Sequence, residues 1–165
     1  MLFRSILLQI RLGNYAYQTL EWNECITING VQISLHPAGH VAGSSQVRLE
    51  YMGEIWVVSG DYKTYDDGIS GVFEPIKCHT FITESTFGLP VYQWKTQKEN
   101  YCDVQNWILK NQSINQHSVL YAYSLGKAQR MAMAAKEVCD EIYVHGSVWN
   151  MHNALIDAGF PDRKS

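Results

Sequence analysis

The sequence has no closely spaced cysteines, no excess of basic charge and no long apolar run, and each absence narrows the class of protein. Its 165 residues carry 13 lysines and arginines against 16 aspartates and glutamates, which gives a net charge of −3. Because there is no global positive field, any nucleic-acid binding must depend on a local basic patch. The four cysteines form no CxxC pair, a pattern typical of free thiols in a reducing, cytoplasmic compartment.

The first residues, MLFRSILLQI, form an apolar run that is interrupted by Gln9 and followed by Arg11. A helix that spans a membrane needs about 20 consecutive apolar residues. We therefore expect no membrane association and interpret this segment as a β-strand.

The first half of the chain has the pattern of β-strands. In ITINGVQISLH, Asn29 and Gly30 separate two alternating apolar stretches, which is the strongest short-range signal for a hairpin. SQVRLEYMGEIWVVSGD predicts a second hairpin, with a turn near Gly53 between a half-exposed strand and a buried strand. CHTFITES predicts one more buried strand, with Glu84 near its end.

The apolar period changes after FGLP. TQKENYCDVQNWILKNQ, LGKAQRMAMAAKEVC and VWNMHNALIDAG have helical spacing or composition, and the apolar runs SVLYAYS and EIYVHG between them predict strands. Alternating helices and strands indicate a parallel layer. The predicted fold class is therefore α/β, with an antiparallel β region over residues 1–87 and an α/β region over 88–165. The tryptophans in these apolar runs are expected in the core: Trp56, Trp94, Trp107 and Trp149.

His36 and His40 are spaced like the two imidazoles of a helical zinc pair. Pro37 and Gly39 lie between them and argue against a helix, so we reject that pair. What remains is a strand that ends in a Pro-Gly turn, from which His40 can point into a cleft. Taken alone, a histidine on a turn is more often structural than a metal ligand.

Two carboxylates follow buried strands. Asp61 comes after WVVSG, and Glu84 ends FITE one strand later. An unpaired buried charge is costly, so Asp61 should face a helix N-terminus or a cation. With His40 these residues could form the edge of a metal cleft. For Glu84 the alternative is a structural cap of the turn that Ser85 begins.

YSLGKAQR has the pattern of a phosphate-binding turn. A strand, Gly126 and a helix that begins with Lys127 and Arg130 would offer backbone N–H groups, a helix dipole and two cations. An ordinary glycine turn with solvated charges explains the same pattern equally well.

HPAGHVAGSSQVRLE, VVSGDYK and FITESTFGLP together resemble the third and fourth metal motifs and the following acidic motif of the β-CASP nucleases, which have the metallo-β-lactamase fold. The branch most similar is the bacterial ligase-associated DNA exonucleases, often labelled mRNA 3′-end processing factors. The resemblance extends over SLGKAQR and YVHG. It implies a partial metallo-β-lactamase (αββα) domain over residues 1–87 and part of a β-CASP domain over 88–165.

By this resemblance His40 is a zinc ligand, Asp61 bridges two zinc ions, and Glu84 orients a histidine of the general acid system. Two zinc ions would generate hydroxide and hold a phosphodiester for in-line displacement. The resemblance also implies DNA or RNA ends as substrates, roles in DNA repair or RNA processing, and association with an ATP-dependent DNA ligase.

The family's His-x-His-x-Asp-His loop and its last two histidine motifs are absent from this sequence, in which no two of the six histidines are separated by one residue. A catalytic zinc takes about three protein ligands plus water, so His40 and Asp61 cannot fill two sites. We expect an internal fragment of a zinc-dependent nuclease, inactive in isolation and prone to self-association through exposed sheet edges. The alternative is an inactive remnant or an interaction module. A glyoxalase or lactamase is disfavoured, because those enzymes lack a counterpart of the SLGKAQR half.

Overall fold

The computed structural model describes residues 3–13 and 15–159, which form two compact units. The first contains the residues up to Thr86 together with those from Ala154 onward, and the second is Phe87–Asn153. The predicted division between residues 87 and 88 lies close to the boundary between the two units at Thr86. The prediction did not include the return of the chain to the first unit at Ala154. No helix in the described part of the chain is long and apolar enough to span a membrane.

Five strands of the first unit form one mixed sheet in the order β1-β2-β3-β4-β5. Strands β1 to β4 pair antiparallel, and β5 runs parallel to β4. β2, β4 and β5 therefore end at the same edge of the sheet, where β3 begins. The strands are β1 (Cys25–Ile28), β2 (Val31–Pro37), β3 (Ser45–Tyr51), β4 (Glu54–Gly60) and β5 (Thr80–Thr83).

The prediction that β4 and β5 are buried strands is wrong. Strand β4 alternates between exposed and buried side chains, and β5 lies at the edge of the sheet with Phe81 and Ile82 exposed.

The structure confirms both predicted hairpins, and their turns have the expected backbone. Asn29 and Gly30 have φ values of 51° and 82°, and a two-residue type I′ turn requires positive φ at both central positions. Met52 and Gly53 repeat the arrangement, with φ values of 48° and 82°. Asparagine and glycine adopt this conformation readily, whereas Met52 does so at a cost.

The amino-terminal segment is a helix, so the predicted strand is wrong. Helix α1 covers Phe3–Leu12, while Met1 and Leu2 lie outside the described residues. A strand needs a neighbour to complete its backbone hydrogen bonds, whereas a helix completes them internally. Of its described side chains, Leu7 is buried and those from Leu8 onward are exposed.

The second half confirms the three predicted helices: α2 (Gln97–Ser113), α3 (Lys127–Lys136) and α4 (Gly146–Asp157). Helix α2 begins at a capping box between Thr96 and Glu99, in which each residue's side chain accepts a hydrogen bond from the backbone N–H of the other. With the sheet of the first unit, these helices confirm the predicted α/β class.

The two strands predicted in the second half are wrong. Residues 118–123 and 141–145 have no strand structure, and Tyr121 and Tyr143 are 96% and 89% exposed. An apolar segment holds an extended conformation only when another strand pairs with it, and these segments have no such partner in the described chain. The tryptophans expected in the core are also exposed: Trp56, Trp94, Trp107 and Trp149.

Candidate functional site

The structure brings two of the predicted metal ligands together. His40 lies in the turn between β2 and β3, and Asp61 follows directly after β4. Because these segments meet at one edge of the sheet, His40 Nε2 lies 3.3 Å from Asp61 Oδ2. The side chains are 39% and 58% exposed, respectively, so a ligand from solvent can reach both.

Gly39 sets the path of the turn that carries His40. Its φ is 70°, and a Cβ atom there would lie 2.5 Å from the carbonyl oxygen of Lys63 and 3.2 Å from the backbone nitrogen of Phe73. The Lys63 N–H donates to the carbonyl of Ala38 at 3.0 Å. The segment that follows Asp61 is thus held directly against the residues that precede His40, with no room for a side chain between them.

Asp67 is a buried carboxylate that organises the same segment. It forms an ion pair with Lys63 and accepts hydrogen bonds from the backbone N–H groups of Ile69 at 3.0 Å and Ser70 at 2.7 Å. The Ser70 hydroxyl lies 2.8 Å from Asp67 Oδ2 and 3.3 Å from the carbonyl oxygen of His40. Burial opposes ionisation of Asp67, but the hydrogen bonds from Lys63, Ser70 and Ile69 outweigh it, so its pKa is lowered.

His36 has a different place from His40. It lies in β2 and is buried, with Nε2 2.9 Å from Ser34 Oγ and Nδ1 2.9 Å from Glu74 Oε1. The structure therefore confirms that the two histidines do not share a helix. Both ring nitrogens have partners within the protein, so His36 serves to fasten Glu74 to the sheet. The Gln46 amide strengthens this link by donating to the carbonyl of Glu74 at 2.8 Å.

Glu84 follows the end of β5 at the same edge of the sheet. Its carboxylate accepts hydrogen bonds from the Thr86 backbone N–H at 2.6 Å and from the Thr86 hydroxyl. These two bonds, with a smaller contribution from the charge of His40, lower the pKa of Glu84. The contact with Thr86 is the turn cap that the sequence offered as the structural alternative for Glu84.

The described donors do not make a complete zinc site. Within residues 3–13 and 15–159, no group of three or more His, Cys, Asp and Glu side chains is arranged to hold a metal ion. His40 and Asp61 supply one imidazole nitrogen and one carboxylate, whereas a catalytic zinc takes about three protein ligands. The pair matches the donor types that zinc prefers but not their number.

The turn before α3 uses its backbone donors internally. The Gly126 N–H donates to Gln129 Oε1 at 2.7 Å, and the Ala128 N–H donates to the carbonyl of Tyr123 at 3.1 Å. The Lys127 ammonium lies 5.1 Å from the centre of the Tyr123 ring, a cation–π contact. These bonds favour the ordinary glycine turn, and the phosphate-binding role of Lys127 and Arg130 stays a prediction.

Sequence reasoning missed the network of Lys63, Asp67 and Ser70. The dipeptide Asp67-Gly68 is a turn signal, and it could have indicated that the chain reverses after Asp61. No sequence pattern indicated that this turn would reach back to the carbonyl of His40.

The chain matches no protein-family model. Its curated relatives are endoribonucleases of the β-CASP group of the metallo-β-lactamase superfamily, together with a bacterial protein described as a probable DNA ligase. The chain is thus homologous to the family that its motifs resemble, which confirms the resemblance.

Three relatives illustrate the extent of the match. Endoribonuclease YSH1 of Eremothecium gossypii is 27% identical over 122 residues, which are 73% of this chain and 16% of that protein. Cleavage and polyadenylation specificity factor 73 of Drosophila melanogaster is 25% identical over 122 residues, or 73% and 18%. The probable DNA ligase of Opitutus terrae is 30% identical over 115 residues, or 68% and 11%. The chain thus spans less than a fifth of the length of these relatives.

Proposed function

We propose that the chain is part of a zinc-dependent nuclease that hydrolyses phosphodiester bonds at DNA or RNA ends. Residues 1–87 would belong to its metallo-β-lactamase domain and residues 88–165 to its β-CASP domain. The observation that carries the proposal is the 3.3 Å approach of His40 Nε2 to Asp61 Oδ2, at a sheet edge where three strands end. The family of the relatives supports it independently.

In this proposal His40 and Asp61 contribute two donors to a zinc site, and Glu84 acts from behind them by hydrogen bonding rather than by ligation. Lys127 and Arg130 contact phosphates of the nucleic acid. Because two donors fall short of a catalytic zinc site, we expect the isolated chain to hold substantially less than two zinc ions and to show no nuclease activity.

The relatives support two substrate classes. Two of the relatives are described as an endoribonuclease and a cleavage and polyadenylation factor, which favours RNA and a role in RNA processing. The similarity to a probable DNA ligase supports DNA ends, a role in DNA repair and association with an ATP-dependent DNA ligase. A cytoplasmic location is part of the proposal, supported by four free cysteines: Cys25, Cys78, Cys102 and Cys139.

A zinc titration followed through the histidine imidazole NMR signals tests the donor pair. We expect the His40 signal to shift first, and Asp61→Ala to weaken the binding at least tenfold. His117→Ala is the matched control, since His117 is exposed and lies in the other unit. Equal shifts of all histidines, or an unchanged affinity in Asp61→Ala, would refute the shared site. Two tightly bound zinc ions per chain, measured by elemental analysis after purification without chelators, would refute the ligand count.

A second candidate is an interaction module without catalysis, which the shortage of metal donors favours. The coding DNA immediately upstream of Met1 distinguishes the two. An in-frame His-x-His-x-Asp-His motif there supports the nuclease, and its absence supports the module.

A further inference from the structure

Gln46 is a polar residue of β3 that is fully inaccessible to solvent. It lies directly opposite His36 on β2. Its side-chain nitrogen donates to two backbone carbonyls, that of Pro37 at 2.9 Å and that of Glu74 at 2.8 Å. A side-chain amide has two N–H donors, so both are used, and an apolar side chain of the same size could not replace them.

The two carbonyls belong to different sides of the candidate site. Pro37 begins the turn that carries His40. Glu74 ends the returning segment, residues 62–74, which begins directly after Asp61. The Gln46 amide therefore links the part of the chain that carries one candidate ligand to the part that follows the other.

Glu74 is fastened to β2 by two more contacts. Its backbone N–H donates to the Pro37 carbonyl at 3.1 Å, and its Oε1 lies 2.9 Å from Nδ1 of the buried His36. Gln46, Pro37 and Glu74 thus form a closed ring of three hydrogen bonds. A satisfied polar network in a buried place fixes one arrangement of its members.

The returning segment also contacts the turn at two points closer to His40. The Lys63 N–H donates to the Ala38 carbonyl at 3.0 Å, and the Ser70 hydroxyl lies 3.3 Å from the His40 carbonyl oxygen. The segment is therefore continuous with Asp61 at its start and is held by Gln46 at its end, and between these points it contacts the turn. The position of His40 relative to Asp61 depends on both attachments.

We propose that Gln46 is a positioning residue for the candidate metal site. Through Pro37 and Glu74 it holds the returning segment against the turn, and this keeps His40 Nε2 beside Asp61 Oδ2. Groups that do not touch a metal tune its binding by fixing the orientation of its ligands, and Gln46 is too deeply buried to be a ligand itself. The inference rests on the proposed function, in which His40 and Asp61 are the metal-binding pair.

A purely structural amide would affect the stability of the sheet without affecting this pair, and two control variants separate the two roles. Val57 is equally inaccessible and lies on the same face as Gln46, because it pairs with Arg48. Val57→Ala removes core packing but none of the hydrogen bonds described above. Gln105 donates to the Ala134 carbonyl at 3.0 Å in the second unit, so Gln105→Asn alters a similar bond elsewhere.

Nuclear Overhauser contacts between the His40 ring and the Asp61 side chain, measured on the full chain without zinc, test the inference. We expect them in the wild type and in both controls. They should be lost in Gln46→Glu, which turns a carboxylate toward two carbonyl oxygens, and in Gln46→Asn, whose shorter amide cannot reach both. In the zinc titration the same two variants should bind at least fivefold more weakly than wild type, and the controls should stay within twofold.

Circular dichroism verifies the fold of each variant, and Gln46→Asn decides the matter if the buried charge of Gln46→Glu prevents folding. Retention of the contacts in Gln46→Asn overturns the inference. Their loss in Val57→Ala as well, or unfolding of both Gln46 variants, also overturns it, since either result indicates an effect on stability alone. Contacts that are present in wild type and lost in Gln46→Asn, in a chain that binds no zinc, would support the positioning role and contradict the proposed function, so the two can fail separately.

Discussion

Gly39→Ala is the most direct test of how the candidate site is held. A Cβ at this position would lie 2.5 Å from the carbonyl oxygen of Lys63, which is backbone and cannot rotate away. The alanine would also have to adopt a φ of 70°, which side chains with a Cβ rarely do. The turn must therefore open and move His40 away from Asp61.

Two costs contribute to the effect. Left-handed backbone costs roughly 1–2 kcal/mol in a residue other than glycine, and forcing an extra carbon into a packed site costs about 1–3 kcal/mol. We therefore expect Gly39→Ala to lower the free energy of unfolding by roughly 2–5 kcal/mol. Gly53→Ala separates the two costs, because Gly53 has a φ of 82° but no atom within 4 Å of an added Cβ. That variant should lose roughly 1–2 kcal/mol.

Urea unfolding followed by circular dichroism, with all proteins at the same concentration, measures both variants. The imidazole NMR signal of His40 in the native state should change in Gly39→Ala and stay unchanged in Gly53→Ala. If the two variants lose the same stability and leave the His40 signal alike, the close approach of Gly39 to the Lys63 carbonyl is wrong.

Two further predictions concern the charges of the site. Asp67→Asn should lower the free energy of unfolding by about 3–5 kcal/mol near neutral pH, because it removes the buried carboxylate that forms an ion pair with Lys63. Since the folded-state pKa of Asp67 lies below the ordinary value of 3.8, its contribution is present above pH 3.8 and is lost as the pH falls through the folded pKa. Urea unfolding at several pH values should thus show a smaller acid-induced loss in Asp67→Asn than in wild type, and parallel curves would contradict the assignment. In a longer protein that contains this chain and has nuclease activity, Asp61→Ala should reduce kcat more than Lys127→Ala, since a metal-bridging carboxylate affects both ions while a phosphate contact only positions the substrate. Equal losses at matched zinc content would contradict these roles.

Patterns among neighbouring residues predicted both hairpins of the sheet, because each hairpin is joined by a two-residue turn. Both hairpin turns have positive φ at two successive residues, Asn29-Gly30 and Met52-Gly53. In the first turn both residue types indicate this conformation, whereas in the second turn only Gly53 does. Alternating side chains then fix the register from each turn outward. The first four strands of the sheet could therefore be predicted from neighbouring residues alone.

The predictions that failed concern segments whose structure depends on residues far away in the sequence. SVLYAYS and EIYVHG have the composition of strands, but a strand forms only where another strand completes its hydrogen bonds. The same limit applies to Trp56: its alternation with Val57 shows that the two lie on opposite faces, but not which face the rest of the chain covers. The covered face of the sheet is the one that contacts the segment with Glu74, and this segment follows β4 in the sequence.

The candidate site contains residues that the sequence indicated and contacts that it did not indicate. The motifs indicated His40, Asp61 and Glu84 from their resemblance to a nuclease family, and the sheet places all three at one edge. The bond from the Ser70 hydroxyl to the carbonyl of His40 was not predictable, because the two residues are 30 positions apart and meet only once β3 and β4 have paired.

The candidate site and the exposed apolar side chains Trp56 and Ile82 belong to different parts of the first unit. The turn with His40 is held through Gly39, Ser70 and the buried Asp67, all of which lie at the strand ends or in the segment beyond β4. None of these contacts involves Trp56 or Ile82. Ile82→Ala should therefore leave the His40 imidazole NMR signal unchanged, whereas Ser70→Ala, which removes the hydroxyl bound to the carbonyl of His40, should shift it. An equal shift of the His40 signal in both variants would instead show that the turn depends on the packing of β5.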